Sequence, residues 1–302
     1  MPRKTGSHPE FLKITFDTIM TAADDHSSRW EIVDNGGIET VLEAMKMFRN
    51  DEADNNNLMF RADFSFEAPE TYVDAQLQIT ALKFLRVLSS QYRYEIGPDY
   101  DVGPEAPTMH RKLIADAGGI EVILDTFRQF PYDVSLHENV CLTLVELVGD
   151  SRDYKRDVVK AGGVKLIVQA MQYLNLSKRK RYIAFLNALK VLLEDKYMGT
   201  IRENVVEISR AWDMEELIKT TFMVMEFVPC RCCSDDDDLD ILQMKTLASK
   251  VLNLLIDFKP QDDPAEWAAS QCIRYSFRHG NMKRLLKLSN EILREEITKG
   301  PK

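Results

Sequence analysis

The stretch "HRKLIADAGGIEVILDTF", residues 110–127, places two adjacent glycines between apolar runs of helical spacing. A glycine inside a helix costs about 1 kcal/mol relative to alanine, so a pair of them marks a break between two helices. The same pair returns at Gly36 and Gly37 in "RWEIVDNGGIETVLEAM", residues 29–45, and at Gly162 and Gly163 in "KRDVVKAGGVKLIVQAM", residues 155–171. Behind each pair the apolar residues recur at i, i+3, i+4 and i+7. They are Ile38, Val41, Leu42 and Met45, then Ile120, Ile123, Leu124 and Phe127, then Val164, Ile167, Val168 and Met171. That period belongs to an amphipathic helix with one buried face. Gly118 is expected to take the left-handed conformation that stops the first helix, and Gly119 to let the backbone turn closely into the second.

Each glycine pair has the same neighbours. Upstream is a short basic-apolar segment, "SRWEIV", "HRKLIA" or "KRDVVK"; downstream is a longer helix, "AQLQITALKFLRVLSS", "LHENVCLTLVELVGD" or "KRYIAFLNALKVLLED". Gly119 and Gly163 lie 44 residues apart, near the period of three-helix repeat units. Gly37 and Gly119 are 82 apart, and two polar, turn-rich insertions account for the excess: 22 residues around "NDEADNNNLMFRADFSFEAPE" and 16 around "YEIGPDYDVGPEAPT". A fourth, degenerate unit reads "DMEELIKTTFMVM", with Asp213 where the second glycine stood and placed to cap the helix, followed by "LQMKTLASKVLNLLIDF". The organisation expected is a single array over 1–302. It has an N-terminal cap at 9–35, units at 36–107, 108–151 and 152–195, a degenerate unit at 196–258 and a helical C-terminal cap at 264–299.

Composition narrows the class. Forty-five per cent hydrophobic and 29% charged residues describe a packed chain rather than a disordered one. The formal charge of −9 gives no reason to expect nucleic acid as the main partner. Neither an apolar leader after Met1 nor a membrane-spanning apolar run is read in the sequence. Five cysteines, an odd number, suit a reducing compartment, so the expected location is intracellular and cytoplasmic, with nucleus or cilium open.

The glycine turn, the short first helix and the Ala- and Leu-rich third helix together resemble the armadillo repeat over residues 9 to about 258, with HEAT-like drift toward the C-terminus. The resemblance implies an all-α, armadillo-type α-solenoid, a right-handed superhelix of three-helix repeats carrying loop insertions. It also implies a concave groove lined by the third helices, which binds an extended peptide or a partner helix. In the armadillo proteins that import nuclear cargo, these helices present a Trp and, one turn later, an Asn. Here the Asn-equivalent positions hold Arg86, Glu146, Lys190 and Asn253, and the Trp-equivalent positions hold Leu82, Leu142, Leu186 and Ser249. Only Asn253 matches, so the expected function is a non-enzymatic interaction scaffold or adaptor for a protein or peptide partner, with a nuclear-transport-type cargo adaptor as the alternative. The insertions at 51–70, 93–108 and 228–240 would add recognition loops.

Other features point less far. "CRCCSDDDD" at 230–238 has no second half to complete a zinc site and lacks the ligand alternation of a calcium loop. The Asp run suits the N-terminus of the following helix, and "SKRKRY" opens the third unit's long helix as a solvated basic start. The histidines at 8, 26, 110, 137 and 279 have no nucleophile or carboxylate motif around them. No cofactor and no metal are expected; an enzyme or zinc-binding protein is the remaining alternative, and oligomeric state is open.

Overall fold

The computed structural model describes residues 9–23, 26–48, 70–90, 105–172, 179–195, 199–210, 213–226, 236–261 and 263–279. These residues form fourteen helices and one two-residue antiparallel ladder. The chain divides into two compact units, 1–147 and 148–302. The insertions read at 51–70, 93–108 and 228–240 fall largely outside the described residues, as do Cys230, Cys232 and Cys233.

The first unit starts with α1 (Pro9–Ala22) and continues with α2 (His26–Asp34), α3 (Gly37–Met47) and α4 (Glu70–Ser89). A second set follows: α5 (Glu105–Asp116), α6 (Gly119–Gln129) and α7 (Val134–Val148). Gly118 has φ +79°, and the corresponding Gly36 and Gly162 have +77° and +82°. This left-handed residue lets Gly118 N–H reach the Ala115 carbonyl at 2.9 Å, which closes α5. The Gly118 carbonyl then accepts from Val122 N–H at 3.2 Å and opens α6. A side chain at Gly119 would collide with the Ile114 carbonyl oxygen 2.6 Å away, so the second glycine is a matter of space rather than of dihedral angle.

The apolar stripes face inward. Ile38, Val41, Leu42 and Met45 are buried in α3, and Ile120, Ile123, Leu124 and Phe127 in α6. Each helix of the first triplet meets its counterpart in the second. Trp30 of α2 stands edge-on to His110 of α5 at 4.5 Å between ring centroids, α3 packs on α6, and Thr143 Oγ1 of α7 donates to the Leu82 carbonyl of α4 at 3.1 Å. The α1 helix closes over α4, with Phe16 and Phe84 rings 5.9 Å apart.

The second unit holds α8 (Arg152–Lys160), α9 (Gly163–Gln172) and α10 (Arg179–Leu193), then α11 (Arg202–Arg210), α12 (Asp213–Glu226) and α13 (Asp236–Ile256), and last α14 (Pro264–His279). The three helices α8, α9 and α10 pack on α11, α12 and α13 in that order, like on like. The α11 helix, over "RENVVEISR", completes the degenerate fourth triplet with buried Val205 and Ile208. Val164, Ile167, Val168 and Met171 are buried in α9. Side chains start the helices where glycine does not: Ser151 Oγ accepts from Tyr154 N–H, and in the first unit Asp133 Oδ1 accepts from Leu136 N–H. Between α10 and α11 the chain makes β1 (Glu194–Asp195) and β2 (Gly199–Thr200), a ladder the helical periodicity gave no sign of. Its place is fixed by Thr200 Oγ1, which donates to the Leu254 carbonyl at 2.9 Å.

Candidate functional site

The third helices α4, α7, α10 and α13 carry the residues aligned in sequence, and their neighbours decide what each can do. Arg86, Glu146, Lys190 and Asn253 are all half-buried, with part of each side chain open to solvent. Leu82 and Leu186 are different. Both have no accessible surface, so they belong to the core and cannot line a partner-binding groove as the sequence reading expected. Ser249 is likewise buried, and Leu142 is half-buried. The reason is geometric: residues one turn apart on a helix share a face only roughly, since four residues turn through about 400°, and on α4 and α10 the neighbouring helices cover that face at Leu82 and Leu186 but not at Arg86 and Lys190.

In the first unit the site is built around Arg111 of α5. Its Nε donates to the Ser89 carbonyl at 2.9 Å, satisfying an orphan acceptor at the end of α4. Its guanidinium also pairs with Glu146 Oε2 of α7 at 3.8 Å, where the glutamate side chain keeps 39% of its surface. Arg86 makes no ion pair among the described residues. The local balance of Arg86, Arg111 and Glu146 is therefore one net positive charge, with its free cation on α4.

In the second unit Lys190 is held at 2.6 Å by Glu194 Oε2, and 23% of its side chain is exposed. The Glu194 carbonyl accepts from Lys155 Nζ at 2.9 Å. Only 5% of Lys155 is exposed, and this desolvation lowers its pKa, opposed by the carboxylates of Asp150, Glu194 and Asp195. Arg152 ties the network to the β-ladder, with Nε 3.1 Å from buried Asp195 and Nη2 3.3 Å from Glu203. Asn253 lies on α13, which packs along α10. Arg86 and Glu146 thus sit in the first unit, and Lys190 and Asn253 in the second.

Two polar features escaped the sequence reading, and both recur by position. Eight residues before the second glycine stand Arg29, Arg111 and Lys155. Each sends its charged end to a carbonyl at the close of a third helix: Arg29 Nη1 to Val87 O at 2.6 Å, Arg111 to Ser89 O and Lys155 to Glu194 O. A cation there complements the negative helix end. The signal was present as a basic residue in all three short segments, but a charged residue on a short surface helix ordinarily faces water. The second feature caps the second helices. Gln78 Nε2 donates to Met45 O and Phe48 O at 2.9 and 3.1 Å, and Tyr182 Oη donates to Met171 O at 3.0 Å. Nearby in the middle triplet, His137 stacks on Phe127 with ring centroids 4.2 Å apart. Burial pushes the His137 pKa down to about 4, against opposing pulls from the Phe130 carbonyl and Asp133. Gln, His and Tyr share no chemistry that an alignment would group.

Little else on the described surface is reactive. Burial raises the thiols of Cys141 and Cys272 away from the thiolate form. Among the described residues no three His, Cys, Asp or Glu side chains gather as metal ligands. The basic start of α10 is only partly solvated: Lys180 is exposed but Arg179 is buried. Among the described residues no helix is long and apolar enough to cross a membrane.

No protein-family model matches the chain. A stretch of 71 residues, 21% of the chain, is 41% identical to protein aardvark of Dictyostelium discoideum, of which it spans 9%. Among solved structures, a crystal structure of an engineered protein aligns over 91% of this chain and 94% of its own length, at 17% identity and a TM-score of 0.48.

Proposed function

We propose that the chain is an armadillo-type α-solenoid acting as a non-enzymatic interaction scaffold, which binds a protein or peptide segment along its third helices. One observation carries the reading. In each unit two successive third helices present a half-exposed polar residue at the position aligned in sequence, Arg86 and Glu146 in the first and Lys190 and Asn253 in the second, while the apolar residues one turn earlier, Leu82 and Leu186, are consumed by the core. A binding surface of this kind selects by charge pattern and by main-chain hydrogen bonding rather than by deep apolar pockets. The clamping of Glu146 by Arg111 favours a general scaffold over a receptor for basic localisation signals, because a carboxylate already paired attracts a lysine-rich segment less.

The test is affinity capture with mass spectrometry on wild type and on Arg86→Glu/Lys190→Glu. Loss of the main interactors at an unchanged melting temperature is the expected result. Identical interactor sets would refute the third helices as the binding surface.

A further inference from the structure

An open trough of about 770 Å³ runs between α9 and α12, the second helices of the third and fourth triplets. Each wall is one i, i+3, i+4, i+7 stripe, starting at Lys165 on α9 and at Glu216 on α12. Val168 and Thr220 are buried at its base, whereas Met223 stays 42% exposed. The rim is cationic in effect. Glu216, its one carboxylate, accepts from Gln172 Nε2 at 2.8 Å and pairs with Lys219 Nζ at 3.4 Å. Lys165 is exposed and makes no ion pair among the described residues. Lys219 keeps 74% of its side-chain surface and so remains open to a second partner.

We propose that this trough is a second docking surface, and that its occupant is an acidic amphipathic helix of a partner protein. The two walls run about 10 Å, two helical turns, which matches the i, i+3, i+4, i+7 anchors of a helix lying in a groove. An extended strand would need main-chain partners, and the walls are helices whose backbone groups are already bonded within themselves. An apolar side chain of the occupant lies on Met223, a soft and adaptable contact. Carboxylates one turn to either side meet Lys165 and Lys219. The chain as a whole carries −9, so attraction of an acidic segment here is local, short-ranged and sensitive to salt. The trough is lined by second helices alone, so it shares no residue with the surface proposed along the third helices.

The probe is a display library of 16-residue helical peptides, selected against the full chain. The expected pool carries Leu, Met or Phe at helical spacing flanked by Asp and Glu. Its members should bind at least ten-fold more weakly to Lys165→Glu/Lys219→Glu, whose melting temperature should match wild type because both lysines are exposed. A pool without acidic enrichment, or peptides that bind the double variant as tightly as wild type, would overturn the proposal. So would a wild-type dimer in sedimentation that the same double variant dissociates, which would make the occupant a second copy of this chain.

Discussion

Replacing Gly119 with alanine sets a methyl group against atoms that cannot withdraw. The new Cβ would stand 2.6 Å from the Ile114 carbonyl oxygen and 2.6 Å from Ile114 Cγ2. Close carbon–oxygen contacts lie at about 3.3 Å, so the backbone must open by about 0.7 Å. Ile114 is fully buried and its carbonyl belongs to α5. The strain therefore separates two packed helices instead of turning one side chain. Overpacking of this kind costs about 1–3 kcal/mol, more than the gain from better helix propensity and a stiffer unfolded chain, about 1 kcal/mol. Gly118 is the contrasting position. A Cβ there meets nothing within 4 Å, and the obstacle is only its φ of +79°, which asparagine tolerates. Gly118→Asn should cost less than about 1 kcal/mol, and Gly119→Ala more, up to about 2 kcal/mol net of that gain. Urea unfolding of the full chain, followed by far-ultraviolet circular dichroism, measures both. Equal losses, or a greater loss for Gly118→Asn, would refute the separation of the two glycines into a dihedral role and a spatial one.

Three further predictions use the same measurement. Ile123→Asp buries an unpaired carboxylate in a position with no accessible surface and should abolish cooperative unfolding; a wild-type melting curve would contradict it. The His137 pKa is about 4 in the folded chain against an ordinary 6.5, so between these values the unfolded chain binds more protons and stability falls as pH falls. About 2 kcal/mol should be lost from pH 7 to pH 5 through this group, and His137→Phe, which keeps an aromatic ring beside Phe127, should remove that part of the slope; an unchanged slope would acquit His137. Arg111→Met should cost about 1–3 kcal/mol by leaving the Ser89 carbonyl without its donor and Glu146 without its partner. Adding Glu146→Gln to that variant should cost less than Glu146→Gln does in wild type, and strict additivity of the two would argue against the pair.

What could be read in the sequence was whatever repeats as a residue type. The glycine pair and its i, i+3, i+4, i+7 stripe are short-range consequences of helix geometry, so Ile120, Ile123, Leu124 and Phe127 were identifiable as one buried face before any contact was known. The short α11 was harder to see because its glycine pair is gone and Asp213 stands in its place. Leu82 and Leu186 were misplaced for a physical reason: alignment preserves position along a helix, not the depth at which neighbouring helices cover it. The capping groups were hidden for the converse reason. Gln78, His137 and Tyr182 act in related places through different atoms, and the cations Arg29, Arg111 and Lys155 look like surface charge until the helix ends they reach are in place. The β-ladder at Glu194–Asp195 depends on Arg152 and Leu254, which lie about 40 and 60 residues away in the chain, beyond any local pattern.

The same polar groups that hold the helix ends also decide how the candidate binding residues are presented. Glu146 is held by an arginine that is itself anchored to Ser89 O, and Lys190 by a glutamate whose carbonyl is anchored by Lys155. A long charged side chain that is already oriented loses less rotamer freedom when a partner arrives. Arg86, without such a clamp among the described residues, loses more but has its full charge to offer. In the proposed binding surface of each unit the clamped residue would therefore set the register of a bound segment, and in the first unit Arg86 would supply the attraction. Reversing Arg86 alone should accordingly weaken capture more than reversing Lys190 alone.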